Sequence, residues 1–185
     1  TFTGVPGKND GAFKSKWMEL IKTSLPESEK LAADYLDHRT EVLIREKAIN
    51  EKARVDGRAL DQIRPLFAQA GGVSPILHGT GIFYRGETHV FSALTLGGPD
   101  DAQIVDSIET GGKEVKKRFM HHYNFPPYSV GETGRFGGQN RRMIGHGALA
   151  GKALEAVLPA KEQFPYTMRV VSEAFSSNGS TSMGS

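Results

Sequence analysis

Apolar side chains recur at helical spacing through residues 13–53, and charged residues fill the positions between them. Pro26, followed closely by Glu27 and Glu29, predicts a break between two helices, because proline and acidic residues favour the first turn of a helix. We therefore expect residues 1–53 to form a small all-α region that serves as a packing or linker module. The apolar positions of this period are Trp17, Leu20, Ile21, Leu31, Tyr35, Val42 and Ile49.

From Val55 onward the pattern favours strands separated by glycine-containing turns. Residues 76, 77 and 81–85 predict one strand, and residues 88–95 predict a second. Gly86 and Glu87 lie between them, which is typical of a tight hairpin turn.

The rest of the chain continues this mixture of strands and helix. We expect strands over residues 116–125 and 166–174 and a helix over residues 140–158. The helix is predicted to pack through a face formed by Ile144, Ala148, Gly151 and Leu154. The pattern predicts an α+β fold, with an all-α region at 1–53 followed by a mixed-sheet core at 54–185.

Composition excludes several classes of protein. The chain has 23 Lys and Arg residues against 21 Asp and Glu residues, a net charge of +2, so nucleic-acid binding must rest on local basic patches. It contains no cysteine, which excludes disulfides, thiolate nucleophiles and cysteine-ligated zinc. No stretch approaches the ~18 apolar residues of a membrane span. These features are compatible with a cytoplasmic protein that does not contact membranes.

A glycine-rich segment, residues 131–147, leads into the predicted helix and carries Arg141, Arg142 and His146. A helix N-terminus has unpaired N–H groups, and arginine binds phosphate oxygens in a bidentate way, so this arrangement can hold a phosphate. Arg142 and His146 are four residues apart and share a helix face. The spacing alone is equally compatible with two solvated or salt-bridged arginines and a packing histidine.

Two further segments carry residues of possible chemical interest. Residues 176–185 are rich in Ser, Thr and Gly and can wrap an anion with backbone N–H groups, although a flexible surface loop has the same composition. They contain no lysine, so they do not form a nucleotide-binding P-loop. His121 and His122 are adjacent, so on a strand they would face opposite sides and would not bind one metal together. The aromatic residues around them can stack on RNA bases or fill a core.

Residues 54–185 resemble the second catalytic core of bacterial polynucleotide phosphorylases, which has the ribonuclease PH fold, and the preceding helices are similar in general character to that family's helical linker. The resemblance rests on many short motifs in the family's order. They are DGR (56–58), IRP (63–65), RGET (85–88), HYNFPPY (122–128), GETG (131–134), NRR (140–142), GHGALA (145–150), RVVSE (169–173) and SSNGS (176–180).

The resemblance implies a polyribonucleotide nucleotidyltransferase that degrades single-stranded RNA from its 3′ end, with inorganic phosphate as co-substrate, in mRNA degradation. By correspondence, Ser180, Thr181 and Ser182 bind phosphate, Arg141 and Arg142 hold the RNA backbone, and His146 lies beside them as a third catalytic residue. The alternative is a catalytically inactive RNA-binding subunit of an exosome-like ring.

The family also holds Mg²⁺ through acidic residues that follow the terminal loop by several dozen positions, and no motif here supplies them. Asp100, Asp101 and Asp106 do not match those acids. We therefore expect a truncated ribonuclease PH-like core with no metal site, inactive by itself. A homotrimer, and association with other RNA-degradation proteins, are implied by the family alone.

Overall fold

The computed structural model describes residues 10–135 and 137–185. Residues 1–9 of the predicted helical region and Phe136 of the glycine-rich segment lie outside the described residues. The chain forms two compact units, Thr1–Ile63 and Arg64–Ser185. The sequence placed this boundary ten residues earlier, between positions 53 and 54. No helix of the described residues is long and apolar enough to cross a membrane.

The first unit consists of two helices and a short irregular segment. Helix α1 spans Asp10–Ser24, a 3₁₀ turn spans Pro26–Ser28 and helix α2 spans Glu29–Asn50, so the predicted break at Pro26 is confirmed. Trp17 joins the helices, because its indole Nε1 donates to the carbonyl oxygen of Ala32 at 3.1 Å. Ala32 is buried, whereas the predicted apolar positions are either half-buried, as at Trp17, or exposed, as at Leu31 and Ile49.

The strands of the second unit are β1 Leu66–Ala70, β2 Gly79–Arg85, β3 Thr88–Gly97, β4 Gln103–Val105, β5 Val115–Lys117, β6 Phe119–Asn124 and β7 Thr167–Ser176. Five of them form one sheet with the order β1-β2-β3-β7-β6. Its strands β1, β2 and β3 pair in antiparallel fashion, β3 pairs with β7 in antiparallel fashion, and β6 runs parallel to β7, so the sheet is mixed as predicted. A separate ribbon pairs β4 with β5.

Helix α3, Arg141–Glu155, covers one face of this sheet next to β6. The buried apolar side chains of the sheet lie on the same face, because register pairs place Ser172 beside Tyr123 and Val90 beside Ala174. The core of the unit is therefore a single layer between the helix and the sheet. Its buried apolar members are Val90, Phe119, Tyr123, Met168 and Ala174.

The hairpin between β2 and β3 matches its prediction. Arg85 pairs with Thr88, and Gly86 between them has φ +58°, a left-handed conformation that favours glycine. By contrast, residues 76 and 77 are not part of a strand, and the side chain of Ile76 is 86% exposed. Strand β1 was not predicted, because all five of its residues are exposed and no alternation of polar and apolar residues marks it.

The single strand predicted over residues 116–125 is wrong. Arg118 separates β5 from β6, and the two belong to different sheets. Its carbonyl oxygen accepts from Met168 N at 2.7 Å, while its guanidinium turns toward the carbonyl oxygens of Phe164 and Pro159. The chain therefore changes partners at Arg118, which the alternation pattern does not reveal.

The predicted packing face of α3 is correct at Gly151 and wrong at Ile144 and Ala148. Gly151 is buried against β6, as is Gly147, which was not predicted, whereas Ile144 is 58% exposed and Ala148 is exposed. A β-carbon at Gly147 would lie 3.2 Å from the carbonyl oxygen of His121, so the absence of a side chain is what lets the helix approach the strand.

Candidate functional site

The first turn of α3 begins where the sequence predicts it. Asn140 caps the helix, because its side-chain oxygen accepts from Met143 N at 2.9 Å. Arg141 and Arg142 follow and are both exposed. In the described part of the chain, neither guanidinium makes an ion pair or a hydrogen bond to another residue. Both cations are therefore presented to solvent at the positive end of the helix dipole.

Arg142 and His146 lie on one face of α3, as their spacing predicts, and both contact the end of β6. The Arg142 guanidinium carbon lies 5.1 Å from the centroid of the Phe125 ring. His146 meets the ring of Tyr123 edge-on, with 5.9 Å between the centroids. Because Tyr123 is only 1% exposed, His146 has a packing contact as well as a position beside Arg142.

A cleft of about 270 Å³ opens between the start of α3 and the segment that follows β6. Its lining combines aromatic, glycine and polar residues and includes two charged groups, Arg135 and Glu173. The Glu173 carboxylate accepts from Tyr128 Oη at 2.5 Å and from Asn124 Nδ2 at 3.2 Å. Burial, together with the hydrogen bond to this carboxylate, raises the pKa of Tyr128 to about 12, so the phenol stays protonated.

The terminal loop, residues 177–185, lies at the same edge of the sheet as the start of α3. Strands β6 and β7 are parallel, so their carboxyl ends coincide, and Ser177 N donates to Ser129 O at 2.8 Å. The loop also lies on the helix-covered face, because a β-carbon at Gly184 would be 3.4 Å from the ring of Phe83, which is in register with Val90. The two predicted parts of the site thus share one face and one edge.

The three predicted phosphate-binding residues have different surroundings. Ser180 is exposed and has φ +50°. Thr181 is 1% exposed, and its hydroxyl bonds to the hydroxyl of Ser177, so its backbone N–H is the group left to meet a ligand. Ser182 is half-buried, and its carbonyl oxygen accepts from Ser185 Oγ at 2.8 Å.

Sequence reasoning missed the contacts of three residues that shape this loop. Arg64 and Arg85 both donate to carbonyl oxygens of the loop, and Thr88, which is fully buried, accepts from Asn178 N at 3.1 Å. Arg85 and Thr88 belong to the RGET motif at the turn between β2 and β3. The motif marks the position, but the loop contact depends on a strand pairing between distant parts of the chain.

His121 lies beneath α3 and connects helix to sheet. Its Nδ1 lies 3.1 Å from Gly147 O and its Nε2 lies 2.9 Å from Ser172 Oγ. A carbonyl can only accept, so Nδ1 carries the proton and Nε2 accepts from the serine. The pKa of His121 lies below its usual value, because the effect of burial, which lowers it, outweighs that of the hydrogen bond to Gly147, which raises it. Ser172 is 1% exposed and His121 has no carboxylate partner among the residues that the structure describes, so this pair is structural and does not form a nucleophilic site.

Among the described residues, no group of three or more His, Asp or Glu side chains is placed to hold a metal ion. Asp101 instead caps a local turn, where its carboxylate accepts from Gly98 N at 2.7 Å. His121 and His122 lie on opposite faces of β6, as predicted, since only His121 faces α3. Within residues 10–135 and 137–185, the side chains do not fit a Mg²⁺ site.

The match to a known protein family covers almost the same residues as the second structural unit. Residues 62–185 match the model of the 3′ exoribonuclease family, domain 1, the ribonuclease PH domain. The chain belongs to this 3′ exoribonuclease family. The family domain corresponds to the second unit of the structure and contains the start of α3, the cleft and the terminal loop.

Curated relatives of this 3′ exoribonuclease-family chain carry an enzyme name. It is 51% identical to the polyribonucleotide nucleotidyltransferase of Pelotomaculum thermopropionicum over 93% of the chain, and 54% identical to that of Syntrophomonas wolfei over 88%. It spans only 23% and 22% of the lengths of these relatives.

A solved structure described as the Archaeoglobus fulgidus exosome with RNA bound to the active site has the same fold. The superposition of the two chains has a TM-score of 0.58 and covers 82% of this chain and 58% of the exosome chain, and the two sequences are 14% identical. At this identity the likeness supports the fold alone, and it agrees with the predicted α+β architecture.

Proposed function

We propose that this chain is part of a polyribonucleotide nucleotidyltransferase that shortens RNA from the 3′ end by phosphorolysis. The observation that carries the proposal is the identity of 51% to a relative of that name over 93% of the chain. The alternative, an inactive RNA-binding subunit of an exosome-like ring, fits these relatives less well. The reaction would run in both directions, releasing nucleoside diphosphates or polymerising them.

In this reaction an oxygen of inorganic phosphate attacks the phosphorus that joins the last two nucleotides. The bond from that phosphorus to the 3′ oxygen of the penultimate nucleotide breaks, that oxygen takes a proton, and the products are a nucleoside diphosphate and RNA one nucleotide shorter. The protein supplies positioning and charge neutralisation rather than a covalent nucleophile. The absence of cysteine and the burial of Ser172 agree with this chemistry.

We assign the roles as the geometry supports them. Arg141 and Arg142 hold the RNA backbone beside the cleft, where their guanidiniums have no competing acidic partner in the described residues. Ser180, Thr181 and Ser182 hold the attacking phosphate, chiefly through backbone N–H groups. His146, on the same helix face as Arg142, is proposed as a third catalytic residue beside it.

Other properties are proposed from the resemblance. We propose that Mg²⁺ assists the reaction when it is held by carboxylates that are not among the residues of this chain. We also propose that the protein is a cytoplasmic homotrimer that acts in mRNA degradation and meets other RNA-degradation proteins. The lack of cysteine agrees with a reducing compartment.

The test uses the full-length protein with poly(A), magnesium and radiolabelled inorganic phosphate. We expect labelled ADP, with the label in the β-phosphate, and no release when phosphate is omitted. Release of AMP without phosphate would identify a hydrolase and contradict the proposal. RNA binding without any release of nucleotide would favour the inactive subunit.

A further inference from the structure

The guanidinium of Arg85, at the end of β2, ties the terminal loop to the sheet. The Nη2 atom of Arg85 donates to the carbonyl oxygens of Gly179 at 3.0 Å and of Ser180 at 2.8 Å. Arg64 Nη1 donates to the preceding carbonyl oxygen, that of Asn178, at 2.5 Å. Three consecutive carbonyl groups of the loop therefore point toward arginine side chains.

This arrangement fixes the direction of the N–H groups on the other side of the same peptides. In a trans peptide the carbonyl and the following N–H point in opposite directions, and none of the described peptides is cis. Because the carbonyls of Gly179 and Ser180 face Arg85, the N–H groups of Ser180 and Thr181 face away from it. In the described part of the chain neither N–H has an acceptor.

The backbone of Ser180 needs such support. Its φ of +50° places it in the left-handed region, which residues with a β-carbon adopt only when surrounding contacts hold them there. Arg85 bonds the carbonyls on both sides of the Ser180 Cα, those of Gly179 and of Ser180 itself. One guanidinium thus stabilises the left-handed conformation of Ser180, in which the N–H groups of Ser180 and Thr181 point away from Arg85.

We propose that Arg85 is a positioning residue for inorganic phosphate: it does not contact the anion, and it holds the 179–181 peptides so that the N–H groups of Ser180 and Thr181 meet it. This inference rests on the proposed function, because it takes the terminal loop as the phosphate site. Arg64 supports the same loop one peptide earlier. Loss of Arg85 therefore weakens phosphate binding without changing the contacts to RNA made by Arg141 and Arg142.

Arg118 offers a matched control. Its Nη1 donates to Phe164 O at 3.0 Å and its Nη2 donates to Pro159 O, so it also ties a loop to the sheet through two carbonyls. That loop precedes β7, whereas the terminal loop follows it. Removal of Arg118 should thus have a comparable structural effect at the opposite end of the strand.

The experiment measures phosphorolysis of poly(A) by the full-length protein as wild type, Arg85→Ala, Arg85→Lys and Arg118→Ala. For Arg85→Ala we expect the KM for phosphate to rise about tenfold, the scale of a lost charge-assisted hydrogen bond, while the KM for RNA stays within about twofold of wild type. Lysine can donate to one carbonyl, so Arg85→Lys should recover part of the phosphate affinity. Arg118→Ala should leave the KM for phosphate unchanged.

Equilibrium dialysis with labelled phosphate separates this inference from the proposed function. If the wild type binds phosphate and releases no nucleoside diphosphate, the proposed function fails and the Arg85 variants still test the loop. An unchanged phosphate affinity in folded Arg85→Ala, an equal rise in the KM for RNA, or an equal loss in Arg118→Ala would overturn the positioning role. If Arg85→Ala does not fold, the same criteria apply to Arg85→Lys.

Discussion

The guanidinium of Arg142 lies over the ring of Phe125, with 5.1 Å between the guanidinium carbon and the ring centroid. Phe125 follows directly after β6, so the ring is attached to the sheet while Arg142 is attached to the helix. The contact holds the arginine against Phe125, which lines the cleft, without neutralising its charge. A salt bridge to a carboxylate would have fixed the side chain and cancelled the charge that binds an RNA phosphate.

The first prediction concerns this pair of arginines. We expect Arg141→Ala and Arg142→Ala to lower phosphorolysis ~30- to 1000-fold in the full-length protein, because each removes a guanidinium–phosphate contact. The melting temperature should change little, since both side chains are exposed. Lys152→Ala, which removes an exposed cation from the last turn of the same helix, is the control. A parallel loss of activity and melting temperature would show that the arginines are structural.

The second prediction tests the contribution of the Phe125 ring, which contacts the guanidinium of Arg142, without removing the arginine itself. Phe125→Leu keeps an apolar side chain at the end of β6 and removes the cation–π contact, which is worth about 0.5–1 kcal/mol at an exposed site. We expect the KM for RNA to rise ~2- to 5-fold and the KM for phosphate to remain unchanged. Phe164→Leu changes a ring at the other end of β7 and should affect neither constant. An unaltered KM for RNA in Phe125→Leu would mean that Arg142 finds its direction without the ring.

The sequence predicted most of the elements that position this site, and the reasons are local. The start of helix α3 near Asn140, the turn at Gly86 and the helix break at Pro26 each depend on the chemistry of a few adjacent residues. The motif order then predicted the family, which the comparison confirms. The roles given to Arg141, Arg142, His146 and residues 180–182 remain predictions.

What the sequence did not predict depends on contacts between distant residues. The alternation around Arg118 favours one strand, yet a backbone bond to Met168 and two carbonyl contacts divide it. Periodicity selected Ile144 for the packing face of α3, whereas close approach of the backbones selected Gly147. The contact of Arg85 with the terminal loop joins residues about 95 positions apart, and no local pattern signals it.

The third prediction tests the close approach of α3 to β6. In Gly147→Ala the new methyl group would lie 3.2 Å from His121 O and 3.2 Å from Tyr123 N, so the helix must shift. We expect a loss of about 1–3 kcal/mol in the free energy of unfolding, measured by denaturant titration. Gly145→Ala, whose methyl group meets nothing within 4 Å, should instead gain about 0.5–1 kcal/mol from helix propensity. Equal effects of the two variants would contradict the observed packing.

The last prediction follows from the protonation of His121. Burial lowers the pKa of His121 in the folded chain, so between that value and the unfolded value of about 6.5 the unfolded chain binds more protons. Stability is therefore full above pH 6.5 and falls as the pH decreases through this window.

A proton on Nε2 would also remove the acceptor that Ser172 uses, which adds a local reason for the same direction. Denaturant titrations at intervals from pH 8 to pH 5 should show a steeper loss of stability in the wild type than in His121→Gln. Burial also lowers the pKa of His122, aided by the neighbouring positive charge of Arg169, so some slope should persist in that variant. If wild type and His121→Gln lose stability in parallel, the imidazole is not the group that the acid protonates.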